Sequence, residues 1–394
     1  MKKTIFLFAA VLVLLAACSK APESGESAQI SSGEAAGTEA YELKVPPEDR
    51  NQAFAWQYFV ETLDNYYYGL AMENGGFIYF CPRGGKTFFP LCNKPNCKHE
   101  NSDCNAYYGD AFGYYDGALY ALEMSTDPRR FDIVKMKLDG SDHQKVAEIE
   151  ISEMGAYSFL PAFHHGKLYL YSPSFFTSDM ENQEDRLIIM DLADYSRTDD
   201  SICTEGNPLF QQYYKEKMYG QSINMDDNRL FELNTVTGEI TTPIPISESG
   251  LCVNGLYATD ATLYYLEGTQ GSSEENKETE TNSSGFYEYD INSGTIKNCG
   301  MPVADIQYAL YDEDYIYATS FRRNHDMDIT IYILTRDYQL VDQIESTEGL
   351  YIAAVTSDRI FFADYFSNTA IDFYLDKSQI GSGSLQLIPM DVVG

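Results

Sequence analysis

A repeat constrains this chain more than any other feature. Residues 112–146 read FGYYDGALYALEMSTDPRRFDIVKMKLDGSDHQKV. Phe112–Tyr115 is a short aromatic strand, Asp116-Gly117 a two-residue turn of the kind that tolerates positive φ, and Ala118–Leu122 the returning strand. After a polar loop, Phe131–Leu138 resumes with Val134, Met136 and Leu138 on one face at period two. Asp139-Gly140 then turns the chain into a fourth strand near His143–Ile149. Four strands in about 40 residues make a propeller blade.

The pattern of a turn, an apolar residue and Tyr or Phe recurs along the chain. Its aromatic falls at Tyr79, Tyr120, Tyr169, Tyr219, Tyr264, Tyr317 and Phe361, giving steps of 41, 49, 50, 45, 53 and 44 residues. Steps of this size at strand-type alternation match blade repeats and exclude helical solenoids. The second half of the unit recurs from Leu187, Leu230, Phe286 and Ile331, each time running into a turn rich in Asp, Asn, Gly or Ser. The expectation is an all-β propeller of seven four-stranded blades, with six or eight as the alternatives. A sheet this short buries its faces only against neighbouring blades, so the ring must close.

IVKMKLDGSD from Ile133, with IFFAD at Ile360–Asp364, resembles the repeat of YWTD-type β-propellers of the low-density-lipoprotein receptor group. The whole chain is similar to uncharacterised bacterial lipoproteins that carry such a propeller and an early Cys-rich segment. The resemblance implies a fold and a binding role over about residues 60–390, and it transfers no catalytic residue.

Seven units account for nearly everything beyond the first 60 or so of 394 residues, which favours one large domain over 47–394. A formal charge of −33 repels phosphate backbones, so nucleic acid is not an expected partner. At the amino terminus, Lys2 and Lys3 precede an apolar run from Ile5 to Leu15 that is too short for a comfortable membrane span. It ends in Leu15-Ala16-Ala17-Cys18, which resembles the lipobox of bacterial lipoprotein signal peptides. That resemblance implies a signal peptide over 1–17, acylation of Cys18 and an extracytoplasmic protein held to the cell membrane by its lipid. Residues 18–46, dominated by Ser, Gly, Glu and Ala, then form a disordered tether. The aromatic stretch Phe54–Tyr68 is either a lead-in helix or a strand that completes the last blade.

The Cys-rich segment, 81–104, contains Cys81 and then Cys92, Cys97, His99 and Cys104 in the spacing C-x4-C-x-H-x4-C. Three thiols and an imidazole suit tetrahedral zinc in a structural role. Disulfides, including Cys81, are the alternative in an oxidising compartment, and a reactive thiol is the third reading. Cys203, Cys252 and Cys299 read as small core residues.

His164-His165-Gly166 reads as a hairpin turn, and Asn224–Asn228 as a hairpin rather than a calcium loop, since Arg229 stands where such a loop needs Gly. Gly271–Ser284 is a polar surface loop. No catalytic or phosphate-binding motif is present. Tyr107, Tyr108, Tyr213 and Tyr214 fall outside the repeat positions and are candidate ligand platforms near the channel mouth. The expected function is therefore a binding or interaction module for an extracellular ligand or envelope protein. The rival is a hydrolase or lyase on glycans or peptides, using acidic residues at the propeller mouth.

Overall fold

The computed structural model describes residue 43, residues 51–53 and most of 58–393. The breaks within the last range are 73–74, 110, 125–129, 151–159, 173–184, 203–207, 223–228, 246–250, 270–284, 323–327, 347–348 and 365–370. The leader 1–17, Cys18, the stretch 19–40, Trp56, Cys203, Asn224–Asn228 and Gly271–Ser284 lie outside the described residues.

Seven antiparallel sheets follow one another in chain order, at residues 59–90, 111–150, 160–202, 208–245, 251–300, 308–346 and 350–389. Each has four strands of its own, so the seven-blade expectation holds. Blade 2 is Ala111–Tyr115, Ala118–Met124, Arg130–Met136 and Gln144–Glu150, close to the bounds its sequence implies. Asp116 and Gly117 take φ of 45° and 74°, and His165 and Gly166 take 49° and 69°, so both dipeptides make the positive-φ hairpin turns expected of them.

The first strands of successive blades line the channel, and the repeat aromatic of the second strand is buried between sheets except in blade 5, where Tyr264 is half-buried. Tyr120, Tyr169, Tyr219, Tyr317 and Phe361 are all buried. Blade 1 departs from expectation. Tyr79 lies on its third strand (Gly75–Pro82), as does Cys81, while the second strand is Asn65–Met72 and carries Tyr66 and Tyr67. Gly75-Gly76-Phe77-Ile78-Tyr79 imitates the turn-apolar-aromatic pattern, whereas pairing selects the strand that follows the tight turn after Phe59–Glu61. Residues 54–57 lie outside the described residues, and from Phe59 on the aromatic stretch is neither a lead-in helix nor part of the last blade, for Phe59–Glu61 opens blade 1.

That tight turn recurs. The hydroxyls of Thr62, Thr259 and Thr356 each accept the backbone N–H three residues on, at 3.1, 2.9 and 3.0 Å, and the Asp312 carboxylate does the same for Tyr315 at 2.7 Å. In all seven blades the first two strands are joined by only two or three residues. Because the strands alternate in direction, these turns share one face of the ring, and the second-to-third connections share the other. Among the latter, twelve residues separate Ser172 from Asp185 and fifteen separate Thr269 from Gly285.

The last blade is complete without help from the amino terminus. Closure comes instead from Asp391–Val392, which pair in parallel with Thr87 and Phe88 on the outer strand of blade 1. Met390, buried, anchors this strap, and its N–H reaches the Asp372 carbonyl of blade 7 at 2.8 Å.

Candidate metal centre

The outer strand of blade 1 is built in two halves. Pro90 pairs with Tyr79, and Tyr107 and Tyr108 pair with Phe77 and Gly76 on the same edge of the same third strand. Residues 91–106 are therefore an excursion inserted into the middle of one strand, and the four candidate ligands all lie within it. Its ends are held in register from both sides: Leu91 N–H bonds the Ile78 carbonyl at 2.8 Å, and Ile78 N–H bonds the Ala106 carbonyl at 2.7 Å.

Tyr108 fixes the second half. A Cβ at Gly76 would stand 2.4 Å from its ring, and one at Gly69 2.5 Å from its hydroxyl, so two glycines make the slot that this ring fills. The excursion also rests on blade 2, where a Cβ at Gly140 would meet the Leu91 carbonyl at 2.3 Å.

Within the excursion, the donor atoms of Cys92, Cys97, His99 and Cys104 all lie within 4.8 Å of one another. Left-handed backbone at Asn96 (φ 60°) and His99 (φ 54°) curls the chain back on itself and gathers them. His99 Nδ1 is 3.2 Å from Cys104 Sγ, which also accepts the Ala106 N–H at 3.3 Å. Burial pulls the Cys92 thiol upward, but backbone N–H groups of Lys94 and Asn105, with the neighbouring Cys104 and Cys97 thiols, outweigh it and lower its pKa. Burial pushes Cys104 up to about 12 and lowers His99, so in the absence of a cation these groups prefer to be neutral. A divalent ion reverses that preference by supplying the charge that thiolates need. Three thiols and one imidazole are the donor set of structural zinc sites, so the residues fit a metal.

Cys81 is not one of the four. It is buried, with its sulfur 3.5 Å from the Pro82 carbonyl, and Cys81, Cys92, Cys97, Cys104 and Cys299 are free thiols. Cys299, half-buried on the outer strand of blade 5, is less enclosed than a core reading implies.

The four tyrosines do not converge, because Tyr107 and Tyr108 belong to blade 1 and Tyr213 and Tyr214 to blade 4. Tyr108 and Tyr213 are buried in packing. Tyr107 and Tyr214 are half-buried, the latter donating its hydroxyl to Asp260 at 3.1 Å beneath Lys215.

A second set of chemically active residues was not anticipated from the sequence, the charged groups between blades. Glu61 of blade 1, buried, accepts Arg83 at 2.8 Å, the Ser357 N–H of blade 7 at 3.0 Å and the Ser357 hydroxyl. Asp358 of blade 7 pairs with Arg83 at 2.6 Å and accepts the Tyr66 hydroxyl at 2.6 Å. Arg359 of blade 7 crosses to the Gly85 carbonyl of blade 1 at 2.7 Å with its guanidinium 4.1 Å over Tyr374. The Thr-x-Asp of 62–64 and 356–358 is the sequence signal that marks these turns.

The chain matches no protein-family model, and no curated protein matches it. Among solved structures, a prolyl endopeptidase is similar over 86% of this chain and 51% of its own, at 9% identity and a TM-score of 0.55. This chain thus spans about half the length of that enzyme. The β-propeller domain of the Trilobed protease from Pyrococcus furiosus covers 84% and 94% of the two chains (10% identity, TM-score 0.47). An oligogalacturonate lyase from Vibrio parahaemolyticus covers 75% and 77% (11% identity, TM-score 0.46). The first likeness shows the fold alone, and the other two add nothing to it.

Proposed function

We propose that the chain is a lipid-anchored, extracytoplasmic β-propeller that acts as a ligand-binding or protein-interaction module, with blade 1 stapled by structural zinc. The observation that carries the binding reading is the division of connections between the two faces. Seven turns of two or three residues lie on one face beside third-to-fourth connections of four to eleven, while the second-to-third connections on the other face run to fifteen residues. Rigid scaffolds present variable connections in this way when those connections do the recognising. The lipid anchor rests on the lipobox at Cys18, and the zinc on the donor set Cys92, Cys97, His99 and Cys104. Held by Cys92, Cys97, His99 and Cys104, an ion would close the excursion and keep the two halves of the outer strand aligned, a scaffold role on the outer edge of blade 1.

Native mass spectrometry of the exported domain tests the staple. Loss of one metal ion on chelation is the expected result, and Cys97→Ser purifying with the same bound mass would refute it. Labelled palmitate entering the wild-type protein but not Cys18→Ser tests the anchor. A hydrolase or lyase reading stands second, supported by the fold it shares with a prolyl endopeptidase. Turnover of prolyl peptides or oligogalacturonates by the purified chain would move that reading to first place.

A further inference from the structure

Six of the seven first strands carry no strand partner on their channel side among the described residues. Blade 4 is the exception. Gln52 and Ala53 pair antiparallel with Tyr213 and Gln212 on the channel edge of its first strand, Pro208–Tyr214. The added strand lies inside the ring, because the other edge of Pro208–Tyr214 is taken by Lys217–Ser222. Its neighbour Asn51 makes a two-point bond to blade 5: the side-chain amide donates to the Ala258 carbonyl at 3.1 Å, and its oxygen accepts the Ala258 N–H at 3.1 Å. The carboxamide thus does for blade 5 what a peptide unit would do.

We infer that the channel edge of blade 4, with the Ala258 backbone of blade 5, is an acceptor site for an extended peptide, and that residues 51–53 are its built-in occupant. This rests on the reading of the chain as a binding module and assigns that module a ligand class. Open strand edges recruit extended backbone through main-chain hydrogen bonds, with side-chain contacts setting preference. Here the preference is for a carboxamide one residue before the paired dipeptide, since only Asn or Gln presents a separate donor and acceptor side by side, as a peptide unit does. Two paired residues and one side chain form a small contact, held because it is tethered, so a free peptide of matching pattern competes with it. Asn51 lies at the level of the tight-turn face, next to the 215–216 turn that Tyr214 enters, so the site opens on that side.

The test uses the full chain with Asn51→Ala and Asn51→Asp, the latter keeping the acceptor but not the donor. The probe is a fluorescent, end-blocked peptide with the sequence of residues 48–53, and its Asn→Leu version is the control. Expected are faster hydrogen exchange at the Ala258 amide in Asn51→Ala, an intermediate rate in Asn51→Asp, and probe binding about tenfold tighter to Asn51→Ala than to wild type, because the tethered competitor is gone. Unchanged Ala258 exchange overturns the inference. So does faster exchange with no binding of the probe, or equal binding of the control. In either of these last cases the binding-module reading survives with a different ligand class, whereas turnover assays alone bear on the enzyme reading.

Discussion

The seam between blades 2 and 3 and the seam between blades 7 and 1 meet the same packing requirement with opposite chemistry. Across the first, Tyr120, Leu122, Phe131 and Ile133 bury themselves against Phe163, Leu168, Leu170 and Met190. The sheets meet so closely that a Cβ at Gly113 would stand 2.2 Å from Phe163. Across the second, Phe59, Tyr66 and Phe361 still pack ring to ring, but Arg83, Glu61, Asp358 and Arg359 surround them.

The difference follows one recurrent position. The residue just beyond the third strand donates its N–H to the turn carbonyl in five blades: Arg83 to Asp64, Leu192 to Gly166, Thr235 to Glu216, Ile291 to Ala261 and Lys377 to Asp358. Pairing adds Leu138 and Arg336 to the series. In blades 6, 7 and 1 this position is a cation, and each faces the blade before it. Arg336 lies 4.2 Å over Tyr264 of blade 5, Lys377 pairs with Asp312 of blade 6 at 2.6 Å, and Arg83 pairs with Asp358 of blade 7.

Blades 2 and 3 are joined by nearby chain, so apolar contact alone finds its register cheaply. Glu61 and Ser357 are 296 residues apart, while Lys377 and Asp312 join adjacent blades 65 residues apart, so sequence distance is not the whole cause; at either seam a purely apolar interface tolerates sliding. Directional, charge-assisted bonds do not.

Four measurements would break or sharpen this contrast. The largest expected effect is Lys377→Met, which strands the buried Asp312 carboxylate and costs about 3–5 kcal/mol in denaturant unfolding. Adding Asp312→Leu should recover most of it, and failure to do so would mean that the pair stabilises rather than specifies. Burial alone would raise the Asp312 pKa, but the Lys377 ammonium overrides it and holds it low. This contribution is therefore full above the ordinary carboxylate range and lost as pH falls through the lower native value. The apolar seam should answer Leu168→Ala with a loss of about 3 kcal/mol that neither salt nor pH alters.

Third comes His164, buried beside Tyr213 at the seam of blades 3 and 4, where burial lowers its pKa to about 3. Its native form stays neutral while the unfolded chain takes up a proton, so stability is full above pH ~6.5 and falls by about 2 kcal/mol by pH ~5. Thermal melts of His164→Gln should lack that slope, and retaining it would place the slope elsewhere. The smallest effect is Ser357→Ala, which removes one of the Glu61 bonds while leaving the backbone donor in place, for about 1 kcal/mol.

Much of the ring was legible beforehand because blades are local objects. Alternation, turn dipeptides and an aromatic every 41 to 53 residues mark strands whose partners lie within a few tens of residues. Blade 1 was misread by one strand because Gly75–Tyr79 satisfies the same local pattern as Asp64–Tyr67, and only cross-strand pairing separates them. Cys92, Cys97, His99 and Cys104 were nameable from type and spacing, since thiols and imidazoles this close in sequence meet after one curl of chain. That the curl interrupts a strand was not, because Tyr107 resumes the pairing Pro90 left off across sixteen residues of irregular chain. Nor were the charged seams, for Arg83 and Asp358 look like ordinary surface residues until the ring brings them together.

The sequence by itself determined the blade, its repeat number and the donor set, all properties of short stretches read in isolation. The tertiary structure alone decided what closes the ring, which face gathers the longer connections, which tyrosines are spent in packing and where residues 51–53 lie. Each of these depends on groups far apart in the chain, whose meeting is set by the geometry of seven stacked sheets rather than by any local preference.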